Sequence, residues 1–590
     1  MTDIKMAWAA LGGDPALVSR VSTVARQGAL QARLPVRELA RACVGACALA
    51  AAGLGARRAG LAEVPRVRVD DGAVATAFVS ERHLLVDGRA PVGFAPLSRF
   101  WRTADGWVRT HANYPRHRAR LLDALKLPGD ASVEDVAEAL AERSAPEVEE
   151  TVYGAGGLAV ALRTAEEWAA HTQGVAVARR PLVERERLGT ARARVLPPLD
   201  GDPVLPAAGL RVLDLTRVIA GPIATRTLAL LGADVLRVDA PQLPEDPDAH
   251  ADTGFGKRST RLDLGLAADR HAFEELLARA DVVVTGYRPG ALDRFGLSPE
   301  ALADRRPGVI VAQLSAWGAY GPWGDRRGFD SLVQVATGIA AIEGSPEHPG
   351  ALPAQALDHG TGYLLAGAVL RALTEQAEQG YGITLRLALA RTAAWLTADG
   401  GERRGAAACG AVTGTGRGGE QGRATHGQRG RAVDEHGGAA FVSGTAAQRQ
   451  PRATSEQDGL ADERGGAVYA SGPAAQGHDG TTHVQGRATH EHGTTAYGSG
   501  PAAHGRDGTP NEQGRATDER GGTADDDSGT AYNRPDAWLV ETDSDIGRLR
   551  HALSPVSFVG GPSNWARPPG CWGTDPARWA RCEGRAETYL

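Results

Sequence analysis

GLRVLDLTRVIAGPIATRTLALLGADVLRVDA, residues 209–240, decides how this chain is read. RVLDL (211–215) is a short apolar run of strand length. PIATRTLALLG (222–232) follows with helical spacing, and Pro222 sits in its first turn, where a missing N–H costs nothing. DVLRVDA (234–240) is a second strand. The pattern continues downstream: RHAFEELLARA (270–280) is helical, and DVVVTGY (281–287) and GVIVAQLSAW (308–317) are strands. Strands separated by helices of ten or more residues form βαβ units, which require a parallel sheet. The class predicted is α/β: a Rossmann-like, doubly wound parallel sheet with a smaller α+β domain and a long disordered insertion.

Composition divides the 590 residues into four regions. Residues 1–200 mix helical stretches such as LLDALKL (121–127) and VEDVAEALAERSA (133–145) with strand-like RVRVDDG and DGWVRTHAN. A Pro/Gly-rich connector (196–209) leads into the core, 201–398. From 399 to 534 large apolar residues almost vanish, and QGRAT recurs at 421, 485 and 513 without a fixed period. Such a tract cannot bury enough surface to offset about 1–2 kcal/mol of backbone entropy per residue, and it is read as disordered. A Trp- and Pro-rich tail, 535–590, closes the sequence. The net charge of −6 suggests no nucleic-acid partner. Five scattered cysteines without a CxxC pair suggest neither a disulfide framework nor a structural zinc site. MTDIKMAWAALGGD carries no signal-peptide pattern, and the most apolar run, 44–56, is too short to span a bilayer. The expectation is a cytoplasmic protein with reduced thiols and no membrane partner.

Ligands of open parallel sheets bind at the carboxyl ends of the strands. The first such loop, TRVIAGP (216–222), lacks G-x-G-x-x-G, so dinucleotide binding is disfavoured. Asp239, ending the second strand, reads either as a ribose-facing acid or as a polar strand terminus. Lys257, one of three lysines, stands beside Arg258 on a predicted loop and could meet a phosphate. Asp358 is the sharper candidate. It precedes a helix expected over about 361–375, where free amides and the helix dipole favour an acid. Capping is the simpler reading. The same field would keep the carboxylate ionised, and Gly360 and Gly362 would let a substrate approach the backbone. An accessible carboxylate there could attack an activated acyl group, with amides holding the oxyanion.

Five blocks in order carry a resemblance: 209–241, GKRSTRLDL (256–264), ADVVVTGYRPGALDRFGLS (280–298), GFDSLVQVATG (328–338) and ALDHGTGYLLAGAVLRAL (356–373). Residues about 208–397 resemble the class III coenzyme A transferases, the family of formyl-CoA and carnitine-CoA transferases. GRLRHALSPVSF (547–558) and RPPGCWG (567–573) are similar to the family's C-terminal segment, and residues about 80–190 look like its small domain, here placed first. The resemblance implies a nucleophilic role for Asp358. It would attack an acyl-CoA thioester, form an aspartyl anhydride and then an aspartyl-CoA thioester, and pass CoA to an acceptor carboxylate. It also implies CoA contacts at Arg217, Ile219, Ala220, Leu262, Tyr287, Arg294 and Arg327, with CoA as a substrate, no metal, no permanently bound cofactor, and a homodimer.

The sequence departs from the family at Ala240, where an arginine is common, and at Gly286, where an asparagine is frequent. The family's active-site glycine loop has no assignable counterpart. α-Methylacyl-CoA racemases of the same superfamily pair the equivalent aspartate with a histidine in the GFDSL block. Phe329 occupies that position here, which favours transfer over racemisation. A non-catalytic CoA-binding subunit is the third reading.

Overall fold

Seven strands, numbered along the chain, form the central sheet: β1 Glu184–Leu188, β2 Arg211–Leu215, β3 Asp234–Asp239, β4 Arg258–Arg261, β5 Val282–Thr285, β6 Ile310–Ser315 and β7 Gly382–Ala388. The computed structural model describes residues 3–193, 195–398, 531–532 and 535–580. The order across the sheet is β4-β3-β2-β5-β6-β7-β1. All neighbours are parallel except β1, which runs antiparallel to β7 at one edge. That edge strand was not foreseen, because ERERL has no apolar run to announce it.

The expected α/β class is what the chain adopts. Its strands read as continuous apolar runs because both faces are covered. Val212, Val282, Val284 and Ile310 pack into one core, while Leu213, Val283, Val311 and Leu236 pack into another on the opposite face. Four helices matter for the site: α1 Val36–Ala59, α2 Ala220–Leu230, α3 Asp330–Ala336 and α4 Ala356–Gln379. Small residues let α4 sit tightly between α1 and α2. A Cβ on Gly362 would lie 2.5 Å from the carbonyl of Ala220, and one on Gly367 would lie 3.2 Å from the Cα of Cys47. The run read as too short to span a bilayer belongs to α1, whose 24 residues are long and apolar enough to do so. Burial of 89% of its apolar window within the protein accounts for that composition.

Residues 100–161 build the smaller α+β unit. Phe100–Arg102, Trp107–Thr110 and Ala159–Ala161 pair antiparallel, and helices Pro115–Leu125, Val133–Ala141 and Ala145–Gly154 cover them. Trp101, Val108, Leu121, Leu140 and Val148 form its own core.

Most of the stretch predicted to be disordered, 399–534, lies outside the described residues. Of that stretch Ala531 and Tyr532 are described: Ala531 bridges to Gln27, and the Tyr532 hydroxyl lies 3.0 Å from Thr76 Oγ1. A hairpin, Leu539–Ser544 with Gly547–Ala552, then adds Leu85–Val86 as a third strand. Tryptophans fasten the tail to the core by donating indole N–H groups: Trp565 to the Arg226 carbonyl (2.8 Å), Trp572 to Asp239 (2.9 Å) and Trp579 to the Leu276 carbonyl (3.0 Å).

Candidate active site

The loop after β2 carries Arg217 and Ile219, and Ala220 opens α2. Val218 adopts φ 72°, a strained value for a β-branched residue. Glu245 holds it there by accepting the Val218 amide (3.2 Å) and an Arg217 guanidinium N–H (3.3 Å). Arg217 also donates to the Pro244 carbonyl at 2.8 Å and lies 5.1 Å from the Tyr114 ring centroid. Its buried Nε has no partner. Burial lowers the Arg116 pKa, and the nearby charges of Arg217 and Arg327 lower it further, while Tyr114 and Tyr287 act in the opposite sense. Arg217, Tyr287 and Arg327 therefore share one cationic neighbourhood. The small α+β unit adds Tyr114 and Arg116, which the sequence reading did not single out. The signal available was NYPRHR (113–118), aromatic and basic residues interleaved in one short run.

The remaining candidates lie elsewhere. Leu262 is buried, and its amide donates to the Asp239 carbonyl. Arg294 is exposed over the Phe295 ring. One expectation fails, and one open pair of readings is narrowed. Lys257 is buried, not displayed on a loop, and donates to Asp214 (3.0 Å) and the Pro222 carbonyl (2.9 Å), while Arg258 in β4 pairs with Asp234 at 2.7 Å. A phosphate would have to displace those bonds. Asp239 is engaged by the buried Arg237 at 2.8 Å and by Trp572, which favours the second of its two readings, a polar strand terminus.

Asp358 lies deeper than expected. α4 starts at Ala356, so Asp358 is the third residue of its first turn and not a cap. The capping work is done by Asp330 at the start of α3. Its Oδ2 accepts the Leu357 and Asp358 amides, both at 2.9 Å, and its Oδ1 accepts the Gln334 side-chain amide. Gln334 in turn accepts the Leu352 amide at 2.9 Å. Asp358 is 7% exposed and Asp330 is fully buried. Burial raises the Asp358 pKa well above the ordinary carboxylate range, and the nearby Asp330 and Glu81 carboxyls raise it further. Burial likewise lifts Asp330 to about 6 against the opposing pull of the amides it accepts. The expectation of an accessible carboxylate held ionised by free helix amides is thus corrected, because another acid has taken those amides. The expected role of the glycines also changes. Space beside Gly360 is filled by Cys43 and Leu39, and Gly362 meets α2, so both serve helix packing.

Glu81, on the short helix Ser80–His83, comes within 3.7 Å of His359 Nε2. Burial pushes the Glu81 pKa up, but His359 and Arg82 outweigh it and leave the group below its usual value. His359 is fully buried, stacks 5.2 Å from Phe78, and has no hydrogen bond at either ring nitrogen. On the α3 side, His111 stacks on Phe329 at 3.7 Å, and burial drives its pKa down to about 3. Among the described residues no group of three or more His, Cys, Asp or Glu is arranged around a metal position.

A strained loop with a cationic neighbourhood lies at the carboxyl end of the parallel sheet, and a buried pair of acids sits at one helix start. Residues 207–427 match the model of CoA-transferase family III. It is 38% identical over 191 residues to the acetyl-coenzyme A transferase of Hypoxylon pulicicidum, covering 31% of this chain and 32% of that one. It is 35% identical over 212 residues to a probable fatty acyl-CoA transferase of Mycobacterium tuberculosis, covering 34% and 54%. The succinyl-CoA–L-malate CoA-transferase beta subunit of Chloroflexus aurantiacus is 34% identical, with 31% and 49% covered. A crystal structure of a CAIB/BAIF family protein from Brucella suis aligns at 29% identity over 34% of this chain and 58% of that chain, with a TM-score of 0.31. The chain spans about half or less of the length of these curated relatives.

Proposed function

We propose that this protein transfers CoA from an acyl-CoA donor to a carboxylic acid acceptor, with Asp358 as the nucleophile. The Asp358 carboxylate attacks the thioester carbonyl, the C–S bond breaks, and a mixed anhydride and CoA thiolate form. The thiolate then attacks the aspartyl carbonyl, releasing the donor's acid and leaving an aspartyl-CoA thioester. The acceptor carboxylate repeats the first step on that thioester. Thiolate attack on the new acyl group regenerates Asp358 and yields the new acyl-CoA. Arg217, Tyr287 and Arg327 would receive the phosphate-bearing part of CoA, which guanidinium groups suit.

The observation that supports this reading most is the position of Asp358 in the first turn of α4, inside the family-matched region and next to a second acid. A carboxylate whose pKa is raised is the stronger nucleophile once ionised. The burial of Asp358 is the specific observation that favours the second reading, a protein that binds CoA without turning it over.

The test is incubation with acetyl-CoA, succinyl-CoA or formyl-CoA in the presence of hydroxylamine, followed by peptide mass spectrometry. A hydroxamate on Asp358, absent in Asp358→Ala, is expected. CoA binding without a hydroxamate would establish the second reading. Oxalate, malate and glutarate form the first acceptor panel, taken from the names of relatives.

A further inference from the structure

Two stretches of this chain repeat one another in the order of their main elements, the second carrying two additional short helices, α3 and Ile339–Glu343, between its first strand and its long helix. In the first, strand Val21–Val24 leads to α1, then to strand Val67–Asp70, which lies parallel to it and runs directly into helix Asp71–Ala77. In the second, β6 leads to α4, then to β7, parallel to β6 and running directly into a helix at 389–398. An antiparallel hairpin follows each: Phe100–Arg102 with Trp107–Thr110, and Leu539–Ser544 with Gly547–Ala552. Both α1 and α4 have 24 residues. Their N-caps share one conformation, Pro35 at φ −76°, ψ 58° and Gln355 at φ −74°, ψ 62°, and both end on a left-handed glycine, Gly60 and Gly380. The sixth residue of each helix bonds the helix that follows its strand, Arg41 to Asp71 at 2.6 Å and Thr361 to Thr392 at 2.8 Å.

The two helices also meet as copies would. Aligned from their first residues, Cys47 corresponds to Gly367, and the α1 backbone that Gly367 meets is that of Cys47, beside the Leu11 side chain. Near the N-termini, Gly360 faces Cys43 and Leu39. Contact between corresponding positions is the signature of a two-fold interface between identical units. In the same alignment Glu38 corresponds to Asp358. Their surroundings differ: the Glu38 side chain is 29% exposed and paired with Arg37 at 3.2 Å, whereas Asp358 hangs from Asp330.

We infer that residues 21–110 are an internal copy of the unit formed by residues 310–398 and 539–552, so that one chain already contains the paired helices that two chains would otherwise supply, with a single acid site at Asp358 and Glu38 as its silent counterpart. The first copy walls that site: Phe78 stacks on His359 and Tyr363, and Glu81 approaches His359. The homodimer expected from the sequence becomes a tandem within one chain.

Gly360→Cys tests the pairing without any use of CoA. A Cβ at 360 lies 3.3 Å from Cys43 Sγ, close to disulfide reach. In a background with Cys47→Ala and the other three cysteines changed to serine, diamide oxidation is expected to link residues 43 and 360 within one chain of 61.5 kDa. A disulfide-linked species of twice that mass overturns the inference. Should that variant fail to fold, native mass spectrometry of the unaltered protein decides: a one-chain particle is expected, and an obligate two-chain particle refutes it. The silent role of Glu38 rests on the transferase reading and has its own arm. Acetyl-CoA with hydroxylamine should mark Asp358 alone, and a hydroxamate on Glu38 overturns that part. Absence of both hydroxamates removes the transferase reading while leaving the cross-link result standing.

Discussion

The Asp330 carboxylate accepts the backbone amides of both Leu357 and Asp358 at 2.9 Å, so the proposed nucleophile hangs from a helix turn that another acid holds in place. Two buried carboxyls this close resist ionising together. Asp330→Asn keeps an acceptor for the amides but removes the charge. If ionised Asp358 performs acyl transfer, the rising limb of its pH–rate profile should move to lower pH in Asp330→Asn, read as kcat/KM against pH. An unmoved limb would mean that the two acids do not interact.

Asp330→Ala probes the structural half of that relationship. It leaves two amide donors without their acceptor at a buried helix start. The expected cost is about 1–3 kcal/mol, measured by urea unfolding. Asp330→Asn should lose clearly less.

Stability should itself depend on pH through this pair. Burial, aided by Asp330 and Glu81, raises the Asp358 pKa in the folded state above its unfolded value of 3.8. Between those values the folded protein binds the additional proton, so stability falls as pH rises. The decline should begin near pH 4 and run through the region of about 6 where Asp330 titrates. Asp358→Asn should flatten that decline across pH 4–7 in urea titrations. A wild-type profile that rises over this range would contradict the burial account.

The parallel sheet was legible because strands covered on both faces carry unbroken apolar runs, as in Val282–Thr285. Edge strand β1 was not, since ERERL is polar and is stabilised by pairing with β7 and not by burial. Asp358 could be singled out from its place beside a helix start. What escaped was Asp330, 28 residues earlier, because a carboxylate that caps a different helix leaves no local pattern. Lys257 illustrates the opposite error. Two adjacent cations looked like a loop for phosphate, yet the tertiary fold turns Lys257 inward to Asp214 and Arg258 to Asp234. The basic run at 113–118 was in view, but only the fold brings it to Arg217.

Close packing of α4 makes a paired glycine test. Gly362→Ala would drive a Cβ to 2.5 Å from the Ala220 carbonyl and 3.0 Å from Ile223, backbone and branched side chain that cannot swing away. Overpacking of this kind costs about 1–3 kcal/mol. Gly53→Ala in α1 has open space around the new methyl and helical backbone, so it should be neutral or stabilise by up to about 1 kcal/mol. Urea midpoints of the two variants should move in opposite directions or, at the least, only Gly362→Ala should lose stability.

The cationic neighbourhood separates residues that resemblance alone treats alike. Arg217 is anchored by Glu245 and Pro244, lies over Tyr114, and keeps a buried Nε without a partner. A donor held in that state gains most from an incoming phosphate oxygen, since its desolvation has already been met by the fold. Arg217→Ala should therefore weaken CoA binding about ten-fold or more in isothermal titration, at 1.5–3 kcal/mol for a typical charge-assisted bond. Arg217→Lys should recover little, because the ammonium cannot bridge Glu245 and the ligand with fixed forked geometry. Arg327 stands in the same field but is exposed, so Arg327→Ala should cost less and lose its effect in high salt. Arg294 sits exposed over Phe295, outside the set of charges around Arg116, and Arg294→Ala should leave CoA affinity within about two-fold. Equal losses at Arg217 and Arg294 would show that the ligand's phosphates follow a path over Phe295 and not over Tyr114.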